Sequence, residues 1–305
     1  MAAGYIESAA PPIPAIFRPL SYKAAHFRSA MRLSIAAGMD AGVTAILLAG
    51  SRPGADPLAS AFGVPAKALV PLAGEAMLSR VARALVGHPR IRRVIVLAQA
   101  DHALTAGADT AWMASHPAIG FEHGGDSVSA ALASALERHD EGYPFLVTTA
   151  DHGLLDAAML DAFIVAAERS GADVAVAVVE RRVLEAAWPG NMRTWLKFRG
   201  GSYSGANLFW FASPRALNAL KLWRTIEQQR KRGRAVVAAF GPLMLAAVAL
   251  RLLTLPGALR RAGRRLGLTA TAVELPIAEA CIDIDKVEDH ALAENILRGR
   301  SGLQL

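Results

Sequence analysis

Short apolar runs alternate along the chain with longer stretches in which apolar residues recur every three or four positions. The runs at 44–48, 93–98, 144–149, 173–179, 206–211 and 271–275 are rich in Val, Ile, Leu and Phe. Their length and composition predict strands buried on both faces. The intervening periodicity predicts helices over 77–86, 127–137, 155–169, 214–222 and 287–297, with Ser127 and Asp156 as N-cap candidates. Strand and helix in alternation predict an α/β domain with a largely parallel sheet.

The pattern breaks twice. Residues 1–42 carry Pro11, Pro12, Pro14 and Pro19, then basic residues from Arg18 to Arg32 without an apolar period. They are expected to be a poorly ordered N-terminal extension to a domain over 43–305, and Met31 and Met39 are alternative starts to Met1. Residues 220–268 are expected to be a helical insertion, apolar and basic together, with Arg251, Arg260, Arg261, Arg264 and Arg265 among its charges. Such a segment suits a membrane interface, a subunit contact or a lid.

Composition narrows the partners. The chain has 305 residues and a net charge of +7, which favours anionic partners. Few aromatics interleave with the basic residues, so a base-stacking nucleic-acid surface is not expected. The uncharged run at 235–250 is shorter than the roughly 20 apolar residues a spanning helix needs. Glu7 stands where a secretory leader would be basic and then apolar. A single cysteine, Cys281, fits a reducing cytoplasm and is expected in a buried strand.

Chemistry-bearing residues fall at the ends of expected strands. In Ala45-Ile-Leu-Leu-Ala49-Gly50-Ser51-Arg52 an apolar run enters a Gly loop, whose backbone N–H groups can approach a phosphate chain. Arg52 and Lys67 would add charge-assisted hydrogen bonds to it, and an ordinary tight turn with solvated charges is the alternative. The run ending in Thr149-Ala-Asp151 puts a carboxylate where ligands of open α/β sheets bind, suited to Mg²⁺. Asp156 is the better cap for the next helix, which leaves Asp151 for that role. Asp283 and Asp285 are expected on one face of a strand end, where a second carboxylate would complete a metal site. Glu288 and Asp289 fall in the first turn of the last helix and read as structural. The segment Gly124-Gly125-Asp126-Ser127-Val-Ser129 offers donors to a base or phosphate, or is simply a Gly turn with a Ser cap. In Ser204-Gly205-Ala206-Asn207 the Asn amide could orient an acceptor. Zinc-ligand spacing, a Gly-x-Ser-x-Gly elbow and a Walker motif are all absent from the sequence.

The ordered set Leu48-Ala49-Gly50, Arg52, Lys67, Gly125-x-Ser127-x-Ser129, Ala150-Asp151, Gly205-Ala206-Asn207 and Asp283-Ile-Asp285-x-x-Glu288-Asp289 resembles the nucleoside-triphosphate transferase superfamily. That group includes the MobA-like, sugar-phosphate and alditol-phosphate nucleotidyltransferases. The resemblance implies a three-layer α/β/α fold, glycosyltransferase-A-like, with a mostly parallel central sheet. It implies that Gly50, Arg52 and Lys67 bind a triphosphate, with Ala49 and Ser51 in the same loop, and that Lys67 and Arg52 stabilise charge during attack on the α-phosphate. It implies Mg²⁺ on Asp151 and Asp285, with Asp283 beside them, and a nucleoside near Ser127 and Ser129, with Gly125 and Asn207 among the other binding positions. The expected partners are a nucleoside triphosphate, CTP before GTP, and a phosphorylated acceptor, in the cytoplasm. A membrane-surface contact through 235–265 and a homodimer stay open. Glycosyl transfer from a nucleotide sugar and a non-catalytic nucleotide-binding role are the alternatives. The chain departs from the family in having Ser51 where a second Gly is usual, and Lys286-Val287 where Thr-Pro is common.

Overall fold

The computed structural model describes residues 42–50, 54–99, 101–125, 127–191, 193–228 and 241–300, all within the unit Gly42–Leu305. The expected extension, and the expected phosphate-loop residues Ser51 and Arg52, lie outside the described residues.

The chain runs β1 (Val43–Leu48), α1 (Pro57–Ala61), the hairpin β2 (Pro71–Leu72) and β3 (Glu75–Ala76), α2 (Met77–Val86) and β4 (Ile91–Ala98). Then come α3 (Asp101–Thr105), α4 (Trp112–Ser115), β5 (Ile119–His123), α5 (Val128–Arg138), β6 (Phe145–Thr149), α6 (Ala157–Ser170), β7 (Val174–Glu180) and α7 (Arg181–Ala187). The last part holds β8 (Leu196–Phe198), β9 (Gly201–Phe211), α8 (Ala216–Gln228), α9 (Pro242–Ala249), α10 (Leu255–Arg265), β10 (Ala270–Glu274) and α11 (Val287–Arg300).

The main sheet is 8-stranded, in the order β10-β7-β9-β6-β1-β4-β5 with β8 paired to β9. Pairs β1–β4, β1–β6, β4–β5 and β7–β10 are parallel, while β9 runs antiparallel to β6, β7 and β8. Side chains of successive strand residues point to opposite faces, so each strand serves two cores. Ala45, Leu47, Val94, Val96 and Leu146 pack with Met77 and Val81 of α2, Phe163 of α6 and Leu297 of α11. Ile46, Ile95, Leu97, Phe145 and Val147 pack on the other face with Leu132 and Leu136 of α5 and Leu220 of α8. The runs of consecutive apolar residues in these strands are therefore explained by helices on both sides. Each large side chain buried this way contributes about 1.5–3 kcal/mol.

The two caps form as expected. Ser127 Oγ accepts from the Ala130 N–H at 3.2 Å and Asp156 Oδ1 from the Met159 N–H at 2.9 Å; caps of this kind contribute roughly 1 kcal/mol each. Three expectations are corrected. Cys281 is buried, but in the 3₁₀ turn Ala278–Cys281 rather than a strand, its Sγ donating to the Ala278 carbonyl. Asp283 and Asp285 lie on irregular chain outside the sheet, between the 3₁₀ turn Ala278–Cys281 and α11, where the backbone N–H of Ile284 bonds to the Asp151 carbonyl instead of to a strand ladder. Strands β5 and β8 were not expected: both are at least partly exposed and have no continuous apolar run.

Candidate functional site

Strand order places a crevice at the carboxyl end of β1. The chain leaves β1 for β4 and β5 on one side, while β6 lies on the other, and ligands of open α/β sheets bind at such a reversal. Backbone hydrogen bonds extend past the ladders there. The Ala49 N–H donates to the Leu97 carbonyl at 2.9 Å, and the Ala150 N–H to the Leu48 carbonyl at 2.9 Å. A Cβ on Gly50 would stand 3.0 Å from Gln99 Oε1. Gln99 Nε2 in turn donates to the Gly125 carbonyl at 3.0 Å. Gln99 thus ties the Gly50 loop to the Gly125 loop, a residue that no motif in the sequence marked.

Lys67 opens the 3₁₀ turn Lys67–Leu69. Ala68 and Val70 beside it are buried in the first core and fix the turn. The hairpin that follows is held against α11: the Ala73 N–H donates to Glu294 Oε1 at 2.6 Å, and His290 Nε2 lies 2.7 Å from the Pro71 carbonyl. Lys67 Nζ donates to Asp151 Oδ2 at 2.6 Å and also to Asp285 Oδ1. Its side chain is only 20% exposed. Burial pulls the ammonium's pKa down, but Asp151 and Asp285 outweigh it and hold it above its ordinary value.

Two contacts bring the distant carboxylates together. The Ile284 N–H donates to the Asp151 carbonyl at 3.2 Å. Gly153 packs so closely that a Cβ there would stand 2.7 Å from Leu72 Cδ2 and 2.9 Å from Ile284 Cδ1. Asp283 and Asp285 flank Ile284, so this docking carries both to Asp151. The Thr149 hydroxyl donates to Asp151 Oδ1 and orients it. Burial, with Asp151 and Asp285 nearby, pushes the Asp283 carboxyl up to about 8, against the opposing pull of Arg193 and Lys67.

Asn207 sits where β9 and β7 lose register, between the partners of Val176 and Val178. Its φ is +44°, a conformation that Asn tolerates better than most residues. The bulge aims Asn207 Nδ2 at Asp283 Oδ1, 2.8 Å away. Arg193, which the sequence reading missed, donates from Nη1 to the Asp283 carbonyl at 3.2 Å and from Nη2 to Asp289 Oδ1 at 2.9 Å. Asp289 Oδ2 also accepts from the Asp285 N–H at 3.3 Å. The first turn of α11 thereby fixes the backbone that presents both carboxylates.

Two polar residues near the crevice are buried rather than exposed to it. Ser129 is fully buried, 3.1 Å from Ser127 Oγ, so it stands beneath the Gly125 loop rather than on its surface. His152 is a core residue: burial pushes its pKa down to about 4 despite Asp151 and Asp156 nearby, and the ring is neutral.

The donor set suits a hard divalent cation. Asp151, Asp283 and Asp285 are all oxygen ligands, the donor class that Mg²⁺ prefers. As the side chains stand, no group of three or more His, Cys, Asp or Glu among the described residues is arranged to hold a metal. Lys67 occupies the space between Asp151 and Asp285.

Comparison with known proteins bears on the family and the fold. Residues 45–245 match the family described as the MobA-like NTP transferase domain. A stretch of 75 residues, 24% of this chain, is 47% identical to 2-C-methyl-D-erythritol 4-phosphate cytidylyltransferase of Saccharopolyspora erythraea; it spans 33% of that relative's length. Among solved structures, a hypothetical transferase from Thermus thermophilus is 28% identical, covering 82% of this chain and 99% of that one with a TM-score of 0.65. A CMP:2-keto-3-deoxy-manno-octonic acid synthetase complexed with CTP is similar in fold, with a TM-score of 0.51 at 12% identity over 85% of this chain and 100% of that one.

Proposed function

The chain belongs to the MobA-like NTP transferase family, and we propose that it is a Mg²⁺-dependent nucleotidyltransferase that moves NMP from CTP to a phosphorylated small-molecule acceptor. GTP stands second as donor. The observation that carries this reading is Lys67, held between Asp151 and Asp285 at the carboxyl end of the central strands. The 75-residue likeness to a cytidylyltransferase supports CTP.

An oxygen of the acceptor phosphate attacks the α-phosphorus, the bond from that phosphorus to the β-phosphate bridging oxygen breaks, and pyrophosphate leaves. Little covalent work falls to the protein, so positioning and charge neutralisation dominate. Gln99 lies against Gly50 and donates to the Gly125 carbonyl, and backbone N–H groups of these two loops would line one end of a triphosphate. When a triphosphate enters, the Lys67 ammonium exchanges one carboxylate for phosphate oxygens and stabilises the charge that develops at the α-phosphate. Asp151 and Asp285, with Asp283 beside them, would then hold Mg²⁺, which supplies Lewis-acid neutralisation of the phosphates. Asn207 and Arg193 keep Asp283 and its backbone in place.

The reading is tested by thermal unfolding with CTP, GTP, UTP, ATP and nucleotide sugars, each with and without Mg²⁺. Ligand at about 100 times its Kd stabilises by about 2.7 kcal/mol. A Mg²⁺-dependent shift with CTP, lost in Lys67→Ala, is expected. A shift with nucleotide sugars alone, or with no nucleotide, overturns it.

A further inference from the structure

Helix α9 breaks the rule that an all-apolar helix is buried. Its sequence is Pro-Leu-Met-Leu-Ala-Ala-Val-Ala, yet none of residues 243–249 is buried. Leu243 is 86% exposed, and Leu250 and Leu252, just past the helix, are 69% and 59% exposed. Leu196 on β8, the strand that α9 packs against, is exposed as well. An open groove of about 570 Å³ separates α9 from α10, lined by Leu243, Met244, Ala247 and Leu253 with Arg261 and Arg265 at its wall.

Helix α10 supplies the complement. Leu255 and Ala258 bury one side of it, with Leu255 in the small core formed with Val178 and Tyr203. Arg260, Arg261, Arg264 and Arg265 are exposed, and Arg251 joins them from the turn after α9. The sequence has no Asp or Glu between Glu227 and Glu274. The apolar face is therefore bordered by positive charge with no acidic residue of its own segment to balance it.

From this charge complementarity we propose that the α9–α10 face docks on an anionic lipid bilayer, with Leu243, Leu250 and Leu252 entering the headgroup boundary and the α10 arginines on lipid phosphates. A second copy of the chain fits less well. A two-fold contact brings the same patch of both copies together, and here that would oppose two arginine clusters. The face is on no spanning element: among the described residues no helix is long and apolar enough to cross a membrane.

The experiment is co-sedimentation of the full chain with vesicles of pure phosphatidylcholine and of phosphatidylcholine with phosphatidylglycerol, at low and high salt. Binding to the anionic vesicles at low salt, weakened by salt as surface electrostatics requires, is expected. Each arginine near the surface contributes about fivefold to partitioning. Arg260→Glu with Arg264→Glu should then lower binding at least 20-fold, and Leu243→Ser with Leu250→Ser should abolish it at high salt. Nucleotide-induced thermal shifts of these variants should match the parent, which separates failure of this inference from failure of the proposed activity. A parent chain that stays in the supernatant with anionic vesicles overturns the proposal, as does binding that survives both double variants. A lipid-free dimer by light scattering that Leu243→Ser dissociates overturns it in favour of self-association.

Discussion

The carboxyl end of the sheet and the α9–α10 face treat polar and apolar groups in opposite ways. At the sheet end charged side chains are gathered into a partly buried cluster, and each is answered: Lys67 by two aspartates, Asp283 by Asn207, Arg193 by Asp289. At the α9–α10 face leucines stand in solvent and arginines crowd one helix without acidic neighbours in their segment. The first arrangement spends folding free energy to fix charges in place. The second leaves apolar area unburied in the chain alone. The difference teaches that the first region is organised by the fold itself, whereas the second is organised for something the fold does not contain.

Mutation should separate the two. Phe163 is fully buried in the core beneath the sheet end, and Phe163→Ala is expected to cost about 3–5 kcal/mol by chemical denaturation. Lys67→Ala should lower the rate of pyrophosphate release about 10²–10³-fold, comparable to losing one preorganised donor, while circular dichroism stays native. A smaller transition-state loss would move the main role to other residues. Gly153→Ala inserts a methyl between Leu72 and Ile284 and should cost about 1–3 kcal/mol. It should also weaken nucleotide binding, because Ile284 carries the aspartates; unaltered binding would show that their placement is set elsewhere.

A fourth test concerns the amino end of β7. Hydrogen bonds from the Ser213 hydroxyl and the Thr269 N–H and hydroxyl hold the Asp173 carboxyl below its ordinary 3.8. A depressed carboxylate stabilises the fold above its unfolded pKa, and the contribution is lost as pH falls through the folded value. The melting-temperature gap between parent and Asp173→Asn should therefore be constant near neutrality and close below about pH 4. Last, Leu243→Ser should change stability by less than about 0.5 kcal/mol without lipid, as for exposed sites generally. A larger loss would mean that α9 is covered in the free protein.

Most of the sheet was legible because burial on both faces leaves β1, β4, β6 and β7 with runs of consecutive apolar residues, and polar residues fall mainly at their ends. The helices α2, α5, α6, α8 and α11 were legible from their period and, at α5 and α6, from Ser127 and Asp156, whereas the short α1, α3, α4 and α7 span too few turns to show one. Edge strand β5, Ile-Gly-Phe-Glu-His, was not, because a partly exposed strand need not be apolar. Lys67, Asp151, Asp283 and Asp285 could be picked out as charges beside expected strands, and the fold gathers them. The agents that gather them were hidden. Gly153 and Ile284 meet only in three dimensions, Arg193 lies in a loop with no local pattern, and the conformation of Asn207 depends on a bulge set by its partner strand.

The hydrogen bond from Ile284 to Asp151 also sets an order in time. A ribosome adding about 5–20 residues per second delivers Lys67 and Asp151 on the order of ten seconds before Asp283 and Asp285 emerge. During that interval the strands that flank the crevice can pair, yet the charge cluster lacks two of its three carboxylates. Synthesis thus delivers most of the sheet before the last two carboxylates, and the charge cluster is complete only once Ile284 has docked on Asp151.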